Sequence, residues 1–272
     1  MAVSTRSEFV DFIVPLRGRL DLYDRTKPPS EQPRNDAADI TKAIPQGFID
    51  AMTVREEVFV KEQGIELENE LDDDDCKSFH WVAYASIPAK NAPANAKTDP
   101  NMRRTSTSTK IPIGTIRLVL PPHAPHPTSD HRPHGSEQDN KTGMHDGKEA
   151  YVKLGRLAVI KEFRKAGISR LLIETALAFA RDHPLDMMPF FDPTKIEALN
   201  QEHARGVGVD WRGLVLVHAQ TGVQKIWKKY GFETDEGMGV WDEENIEHVG
   251  MWRRLDIHSG RRTSKAFLPI RP

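Results

Sequence analysis

Residues 154–179, LGRLAVIKEFRKAGISRLLIETALAF, constrain the fold of this 272-residue chain more than any other feature. A strand-like stretch ends at Val159, and a short turn separates it from apolar residues that begin at Ile168. These apolar residues recur at positions i, i+3, i+4, i+7, i+8 and i+11, which places them in one stripe on a helix. The segment therefore predicts a strand–loop–helix unit in which the helix packs on a sheet.

The loop of this unit, residues 164–169, reads RKAGIS and has the composition of an anion-binding site. The N-terminus of a helix points backbone N–H groups and the positive end of the helix dipole at one spot, which suits a phosphate or pyrophosphate. Gly167 lets the backbone approach a ligand without a Cβ in the way, and Arg164 and Lys165 add positive charge. An R-x-x-G-x-S string is common by itself, so the prediction depends on the strand before it and the helix after it.

The rest of the chain alternates between strand-like and helix-like segments, which predicts one α/β domain. A short apolar run at residues 214–218 is typical of a buried central strand, and Gly231 is a usual helix stop. The predicted strands cover residues 9–16, 79–85, 113–120, 151–159, 214–218 and 246–255, and the predicted helices cover 46–60, 168–179 and 220–230.

Three stretches interrupt this alternation. Residues 86–110 and 121–150 hold too few apolar residues to offset the entropy of ordering, so we predict mobile loops there. Residues 184–210 are also irregular, but their methionine and phenylalanine residues predict partial packing. The predicted layout is an N-terminal strand and irregular lead-in at 1–45, a single domain with three insertions at 46–255, and a C-terminal tail at 256–272.

The overall charge and the cysteine count exclude several classes of protein. The chain has 38 Lys and Arg residues against 40 Asp and Glu residues, whereas a dedicated nucleic-acid binder usually shows a basic surplus. No apolar run approaches the ~20 residues of a membrane helix, and the N-terminus lacks a signal-peptide pattern. The single cysteine, Cys76, allows no internal disulfide, so we expect a soluble cytoplasmic protein, with the nucleus as an alternative. The histidine pairs within 121–150 have no predicted scaffold, so we expect no metal site.

The strand end and loop resemble the acetyl-CoA-binding motif of the GCN5-related N-acetyltransferase (GNAT) superfamily. The motif is Arg/Gln-x-x-Gly-x-Gly/Ala after a Leu-Ala-Val-like strand end, which residues 157–159 supply here. Ser169 stands where the family has Gly or Ala, and a short side chain should be tolerated there. Residues 217–220, VHAQ, and 226–232, IWKKYGF, are similar to the family's later strand, helix and Tyr-x-x-x-Gly-Phe ending.

Further stretches are similar to the ElaA-like branch of this superfamily. Residues 55–63, REEVFVKEQ, match a helix of the pattern Arg-x-x-Val-Phe-Val-x-Glu-Gln, and an acidic run to Asp75 and a strand with His80 follow. Residues 247–251, EHVGM, also fit that branch. Together the resemblance covers residues 46–85, 111–120, 151–183 and 213–255.

The resemblance implies a central mixed, mostly antiparallel sheet flanked by helices, with one strand splayed to hold acyl-CoA. It also implies an acetyl-CoA-dependent N-acetyltransferase in which a small-molecule primary amine attacks the thioester directly in a ternary complex. We expect neither nucleic acid nor a membrane as a partner, and a monomer or homodimer. The contacts that the resemblance implies for acetyl-CoA are Leu157, Val159, Arg164, Lys165, Ala166, Gly167, Ile168, Ser169, Gln220 and Trp227.

Two positions that serve as acid or base in many GNAT proteins are altered here. Trp227 stands at the place of the usual tyrosine, and Lys153 aligns approximately with the usual glutamate. Either the chemistry relies on positioning and water, or other residues move the proton. The candidate catalytic residues are Glu62, His80 and Tyr230, with Glu70 and His218 as further candidates.

Other interpretations stay open from the sequence. A non-catalytic acyl-CoA-binding protein of the same fold would explain the altered positions, and a protein N-acetyltransferase would differ only in its acceptor. Arg55, Phe59 and the aspartates of the acidic run partly resemble the acyl-homoserine lactone synthases, which share the fold. The acidic run, residues 66–75, is either a solvated loop or a patch that attracts a cationic amine.

Overall fold

One eight-stranded sheet organises the described part of the chain in this computed structural model. The structure describes residues 9–33, 43–88, 108–126, 141–188 and 211–257. The strands are β1 (Val10–Ile13), β2 (Ser78–Pro88), β3 (Ser108–Val119), β4 (Val152–Val159), β5 (Leu214–Gln220), β6 (Glu233–Thr234), β7 (Val240–Glu243) and β8 (Ile246–Arg254). Their order is β1-β2-β3-β4-β5-β8-β6, with β7 paired to β8. Only the β4–β5 pair is parallel among these strands, which confirms the predicted mixed, mostly antiparallel sheet.

Helices cover both faces of the sheet. They are α1 (Gln46–Arg55), which continues as a π-helical segment over Glu56–Glu62, α2 (Leu67–Glu70), α3 (Ile168–Asp182) and α4 (Gln224–Lys228). Successive side chains of a strand point to opposite faces. Trp81 of β2 accordingly packs in one cluster with Leu172 of α3, whereas Val82 packs in another with Phe48 of α1. None of the described helices is long and apolar enough to cross a membrane.

β4 and β5 part near the middle of the sheet. Their parallel pairing ends at Leu154, which lies opposite Val217. β4 runs on beyond that point while its other edge stays paired with β3. A register shift in the β3–β4 pairing coincides with Arg156, whose φ of 50° marks a bulge. From Gly155 onward, the edge of β4 that faces β5 is therefore unpaired among the described strands, as expected for a splayed strand.

β1 pairs with β2, so the N-terminal strand joins the sheet, and Leu16 beyond it is buried. The boundary between β5 and α4 lies elsewhere than predicted. β5 extends to Gln220, and a 3-10 turn over Thr221–Val223 separates it from α4. Gln220 stays extended because it pairs with His248 of β8, so no helix begins there.

The insertions are more ordered at their ends than their composition predicts. Three residues at each end of 86–110 extend β2 and β3, which pair across the sheet. In the 121–150 insertion, His126 is buried edge-on against Trp252, and burial lowers the pKa of its ring to about 4, so it packs as a neutral aromatic ring. Met187 of the third insertion is fully buried. The middle parts of the two predicted mobile loops, 89–107 and 127–140, and residues 189–210 of the third insertion lie outside the described residues.

Candidate functional site

A cavity of about 990 Å³ opens where β4 and β5 part. Its walls come from the unpaired end of β4, the loop before α3, the end of β5, α4, the π-helical segment with α2, and the β7–β8 turn. We distinguish two halves by their residues. The open half comprises Gly155, Val159, residues 164–169, Gln220 and Trp227, and the charged half comprises Glu70, Asp72, Asp74, Arg117, Lys153 and Arg156.

The loop of the open half has an anion-binding geometry. Gly167 precedes α3 with a φ of +83°, and a Cβ built on it would meet no atom within 4 Å. The N–H of Leu171 donates to the carbonyl of Gly167, so the N–H groups of the residues between them have no partner within the helix. Lys165, at a φ of +67°, adds a cation beside them. The loop therefore offers backbone donors, positive charge and free space at one place.

Arg164 is held at the edge of this loop by two contacts. Its Nε donates to the carbonyl of Val159 at 2.9 Å, and its Nη2 donates to a carboxylate oxygen of Glu62 at 2.7 Å. Gln220 makes a similar bridge, donating to the side-chain oxygen of Gln63 at 3.1 Å. The end of the π-helical segment is thus tied to the open half by side-chain contacts from two different elements.

The structure brings together most of the residues that the sequence resemblance implies. Nine of the ten predicted acetyl-CoA contacts line the cavity, and Ala166 is the exception. Trp227 is buried and packs edge-on against Phe232 with ring centroids 5.3 Å apart, so its ring forms part of the cavity wall. That these residues bind acetyl-CoA stays a prediction.

The three predicted catalytic residues are dispersed. Glu62 lines the cavity, but its carboxylate is paired with Arg164. His80 is 1% exposed, outside the cavity lining, with Nε2 3.3 Å from the carbonyl oxygen of Asp75. Burial lowers the pKa of His80 to about 4. Tyr230 is half-buried, also outside the lining, and packs on the main core. His80 and Tyr230 therefore face the protein interior rather than the cavity, because β2 and the end of α4 direct them there.

The charged half rests on a buried ion network that the sequence did not reveal. Arg55 is fully buried and contacts Glu70 at 2.5 Å and Asp75 at 2.7 Å. Arg117 binds Asp72 with both terminal nitrogens, at 2.6 and 2.9 Å, and also contacts Asp75 at 2.8 Å. Burial opposes ionisation of Asp75, yet Arg117 and Arg55 outweigh it and hold the pKa of this carboxyl well below its usual range.

Two further cations complete the cavity face of this network. Arg156 lies 3.0 Å from Asp72 and 3.2 Å from Glu70, and its positive φ sets the direction of its side chain at the bulge. Lys153 contacts Asp74 at 3.1 Å. The acidic run is therefore neither wholly solvated nor wholly an exposed patch for a cationic amine. Glu70 and Asp75 are buried in ion pairs, whereas Asp73 is fully exposed.

One signal in the sequence points to this network. Arg117 and Arg156 each sit inside a largely apolar strand, IGTIRLVL and KLGRLAV, where a cation needs a partner of opposite charge. Those partners lie 45 and 84 residues away in the chain, both at Asp72. Within the described residues, no group of three or more His, Cys, Asp or Glu residues is arranged to hold a metal ion.

Comparisons with known proteins give structural similarity only. No family model and no curated protein matches the sequence. An acyl-CoA N-acyltransferase from Pseudomonas aeruginosa is 17% identical over 90% of this chain and 99% of its own, with a TM-score of 0.43. Escherichia coli ElaA is 15% identical over 79% and 94%, with a TM-score of 0.39. Arabidopsis thaliana NAA60, in complex with a bisubstrate analogue, is 13% identical over 74% and 91%, with a TM-score of 0.38.

Proposed function

We propose that the chain is a GNAT-superfamily acyltransferase that moves an acetyl group from acetyl-CoA to a small-molecule primary amine. The observation that supports this most directly is the coincidence of two features in one cavity. The edge of β4 is unpaired from Gly155 onward, and the open glycine loop at the start of α3 lies at the end of that edge. An elongated ligand with amides in its middle and phosphates at one end matches that order.

The residues of the open half fit acetyl-CoA. Amide groups of the pantetheine arm can pair with the free edge of β4 as an added strand would. The loop of residues 164–169 supplies backbone N–H donors for the pyrophosphate, and Lys165 adds charge. A Cβ at Gly155 would meet no atom within 4 Å, so the cavity has room beside the strand at the point where the thioester would lie.

The first contribution of this site to catalysis is to position the two reactants. Holding the amine against the thioester converts a bimolecular step into one within a complex, which contributes much of the rate. The bulge at Arg156 turns backbone groups of β4 away from their β3 partners, and an N–H there can stabilise the developing oxyanion. An alkyl ammonium with a pKa of about 10.4 is only about four parts in ten thousand neutral at pH 7, so a proton acceptor near the amine is useful.

The carboxylates of the charged half are poorly suited to be that acceptor. Glu70 and Asp72 are engaged by arginines, and Arg117 and Arg156 outweigh the burial of Asp72 to lower the pKa of its carboxyl. Asp74 is shared by Lys77 and Lys153. The cationic partners lower the pKa of the Asp72 and Asp74 carboxyls, so these two groups stay ionised and set the charge of the acceptor side.

Donor binding is the first test. Wild-type protein and a Gly167→Glu variant are heated with and without acetyl-CoA, and Gly147→Glu is the matched control. Gly147 has a φ of +80° and lies outside the cavity lining, so it reproduces the backbone strain without touching the site. At ~100 times its dissociation constant, a ligand stabilises by about 2.7 kcal/mol, or roughly 5–10 °C for a domain of this size. We expect that shift in wild type and Gly147→Glu, and its loss in Gly167→Glu.

Release of the CoA thiol in the presence of pooled primary amines is the second test. Sustained release above buffer, dependent on an amine, supports the acetyltransferase. Release of the CoA thiol only with peptides that have a free N-terminus would indicate that the acceptor is a protein. Tight binding without release would indicate the non-catalytic acyl-CoA-binding protein, and absence of any shift in folded wild type would overturn the proposed function.

A further inference from the structure

His218 lies at the fork where the two central strands separate. Leu154 and Val217 form the last pair between β4 and β5, and His218 is the next residue along β5. Its own backbone is fixed by pairing with Gly250 of β8. The side chain lines the cavity, as do Gly155 and Lys153 on the neighbouring strand. A thioester held along the unpaired edge of β4 would therefore end beside this imidazole.

The ring of His218 is positioned by packing and not by a hydrogen bond at Nε2. It meets Trp241 edge-on, with ring centroids 4.9 Å apart. Its Nε2 atom is buried and has no hydrogen-bond partner among the described residues. A buried polar nitrogen without a hydrogen-bond partner lowers the stability of the folded state. Its position beside a cavity therefore points to a functional role. The other titratable side chains of the charged half are already committed to ion pairs, as described above.

We propose that His218 is the catalytic proton shuttle of the acyl transfer, taking the proton from the attacking amine and delivering it to the departing sulfur. This inference rests on the proposed function. It also accounts for the altered positions at Lys153 and Trp227, because one imidazole at the fork can do the work of the glutamate and the tyrosine that many GNAT proteins have there.

The step balances without any further reactant. The neutral amine nitrogen attacks the carbonyl carbon, a C–N bond forms, and the C–S bond to CoA breaks. The nitrogen, made acidic by its new bond, passes a proton to the unprotonated ring nitrogen of His218. The resulting imidazolium passes that proton to the thiolate sulfur. The products are the amide and the CoA thiol, and the ring returns to its neutral form.

The charged and titratable groups that face His218 disfavour the protonated ring, as a proton shuttle that must release its proton requires. Burial, followed by Lys153 of β4 and the histidines His126, His248 and His123 around it, lowers the pKa of the His218 ring well below its usual range. The ring is therefore unprotonated at physiological pH. Once protonated, it is a far stronger acid than a thiol, whose pKa is about 8.5, so transfer to the thiolate is favourable.

His248 is the nearest competitor for this role, and the experiment includes it. It also lines the cavity, and its Nδ1 lies 2.8 Å from the carbonyl oxygen of Ile246, which leaves Nε2 as the acceptor. It pairs with Gln220, two residues beyond the fork, so it lies further from the end of the β4–β5 pairing than His218 does. The variants are His218→Gln, His248→Gln and, as the matched control, His183→Gln on the exposed end of α3.

The measurements are the acetyl-CoA dissociation constant, kcat and the KM of an amine found in the pooled screen. For His218→Gln we expect kcat to fall by roughly 10²- to 10⁴-fold, with the dissociation constant and the KM unchanged. Any rise of the wild-type kcat between about pH 6 and 8 should follow the ionisation of the amine alone, because the ring is neutral throughout, whereas the kcat of the variant should rise more steeply with pH as hydroxide replaces the ring. His183→Gln should match wild type.

Three outcomes overturn the inference in different ways. A wild-type kcat retained in His218→Gln, or a loss confined to His248→Gln, removes His218 as the shuttle and leaves the proposed acyltransferase intact. Failure of wild type to bind acetyl-CoA or to release CoA removes the proposed function, and this inference with it. A fall in donor affinity that accounts for the whole loss in His218→Gln would show that the ring shapes the cavity without moving a proton.

Discussion

The open half of the cavity is built from residues close together in the chain, whereas the charged half joins residues that are far apart. Residues 155–169 supply most of the open half in one strand–loop–helix unit. In the charged half and the buried ion network beneath it, Arg55 meets Asp75 across 20 residues, and Asp72 meets Arg156 across 84. One strand–loop–helix unit is enough to present free backbone groups and glycines. A set of buried, mutually paired charges forms only when several elements pack against one another.

The two halves therefore differ in what a substitution should cost. In the open half, Gly155 and Gly167 border free space, so a change at either glycine should affect ligand binding more than stability. In the charged half, each ion is neutralised by a partner from another element, and removing one leaves a buried charge without compensation. The predictions below test this contrast, from the largest expected effect to the smallest.

Asp75→Ala should produce the largest effect. Arg55 and Arg117 would both lose a buried partner, and breaking a buried pair in this way lowers the free energy of unfolding by about 3–5 kcal/mol. Urea denaturation measures the loss. Asp73→Ala is the matched control, because this carboxylate is fully exposed and its removal should change the free energy of unfolding by less than ~0.5 kcal/mol. Equal effects from the two variants would contradict the contrast.

Lowering the pH should remove the difference in the free energy of unfolding between wild type and Asp75→Ala. Since the folded pKa of Asp75 is lowered below its unfolded value, its contribution is present above the unfolded pKa and is lost as pH falls through the folded pKa. The gap between the two unfolding free energies should thus be constant above about pH 5 and narrow below about pH 4. A gap that does not change down to the acid limit would mean that the ion pairs contribute little of it.

Gly155→Val should weaken donor binding without destabilising the fold. A Cβ there meets no atom within 4 Å, and a β-branched residue in a strand offsets the roughly 0.5–1 kcal/mol that glycine costs. The valine side chain would project into the space that the pantetheine arm needs, so we expect the acetyl-CoA dissociation constant to rise at least ~10-fold, or about 1.4 kcal/mol. Calorimetric titration gives this value directly.

Gly114→Val is the opposite case on the adjacent strand. A Cβ at Gly114 would lie 2.8 Å from Cγ2 of Ile168, inside the packing of α3 on the sheet. Overpacking there should lower the free energy of unfolding by about 1–3 kcal/mol. If Gly155→Val destabilised the protein as much as Gly114→Val, the strand edge at the cavity would be packed rather than open.

Lys153→Met should have a smaller effect on stability, and it should also change the pKa of His218 at the fork between β4 and β5. Asp74 keeps Lys77 as a partner at 2.8 Å, so the free energy of unfolding should fall by only about 1 kcal/mol. The pKa of His218 should rise, because a cation that disfavours its protonated form has been removed. Titration of the ring by NMR measures this change, and Lys77→Met is the control that perturbs the same carboxylate. A His218 pKa that responds equally to both variants would contradict a specific effect of Lys153.

The sequence predicts the open half better than the charged half for a physical reason. The glycine loop, the strand before it and the apolar stripe of α3 lie in one window, so composition and spacing identify them together. The partners of Arg117 could not be assigned without the register of β3 on β2 and β4. Tyr230 and His80 had the chemistry expected of catalytic groups, but the direction of a side chain depends on strand phase and helix rotation, which no single motif specifies.

Glu62→Gln should give the smallest effect, and its sign distinguishes two roles for the contact with Arg164. The pair is partly exposed, with 42% and 29% of the two side chains accessible, so its loss should change the free energy of unfolding by less than ~1 kcal/mol. If the carboxylate withholds Arg164 from the donor phosphates, its removal should tighten acetyl-CoA binding by up to about fivefold. We expect this tightening, because Arg164 keeps its second contact to the carbonyl of Val159. Glu57→Gln, which breaks an exposed contact to Lys61 on the same helical segment but outside the cavity, should leave binding unchanged. Weaker binding in Glu62→Gln alone would mean that the ion pair positions Arg164 for the donor, and the open half would then depend on a distant partner as the charged half does.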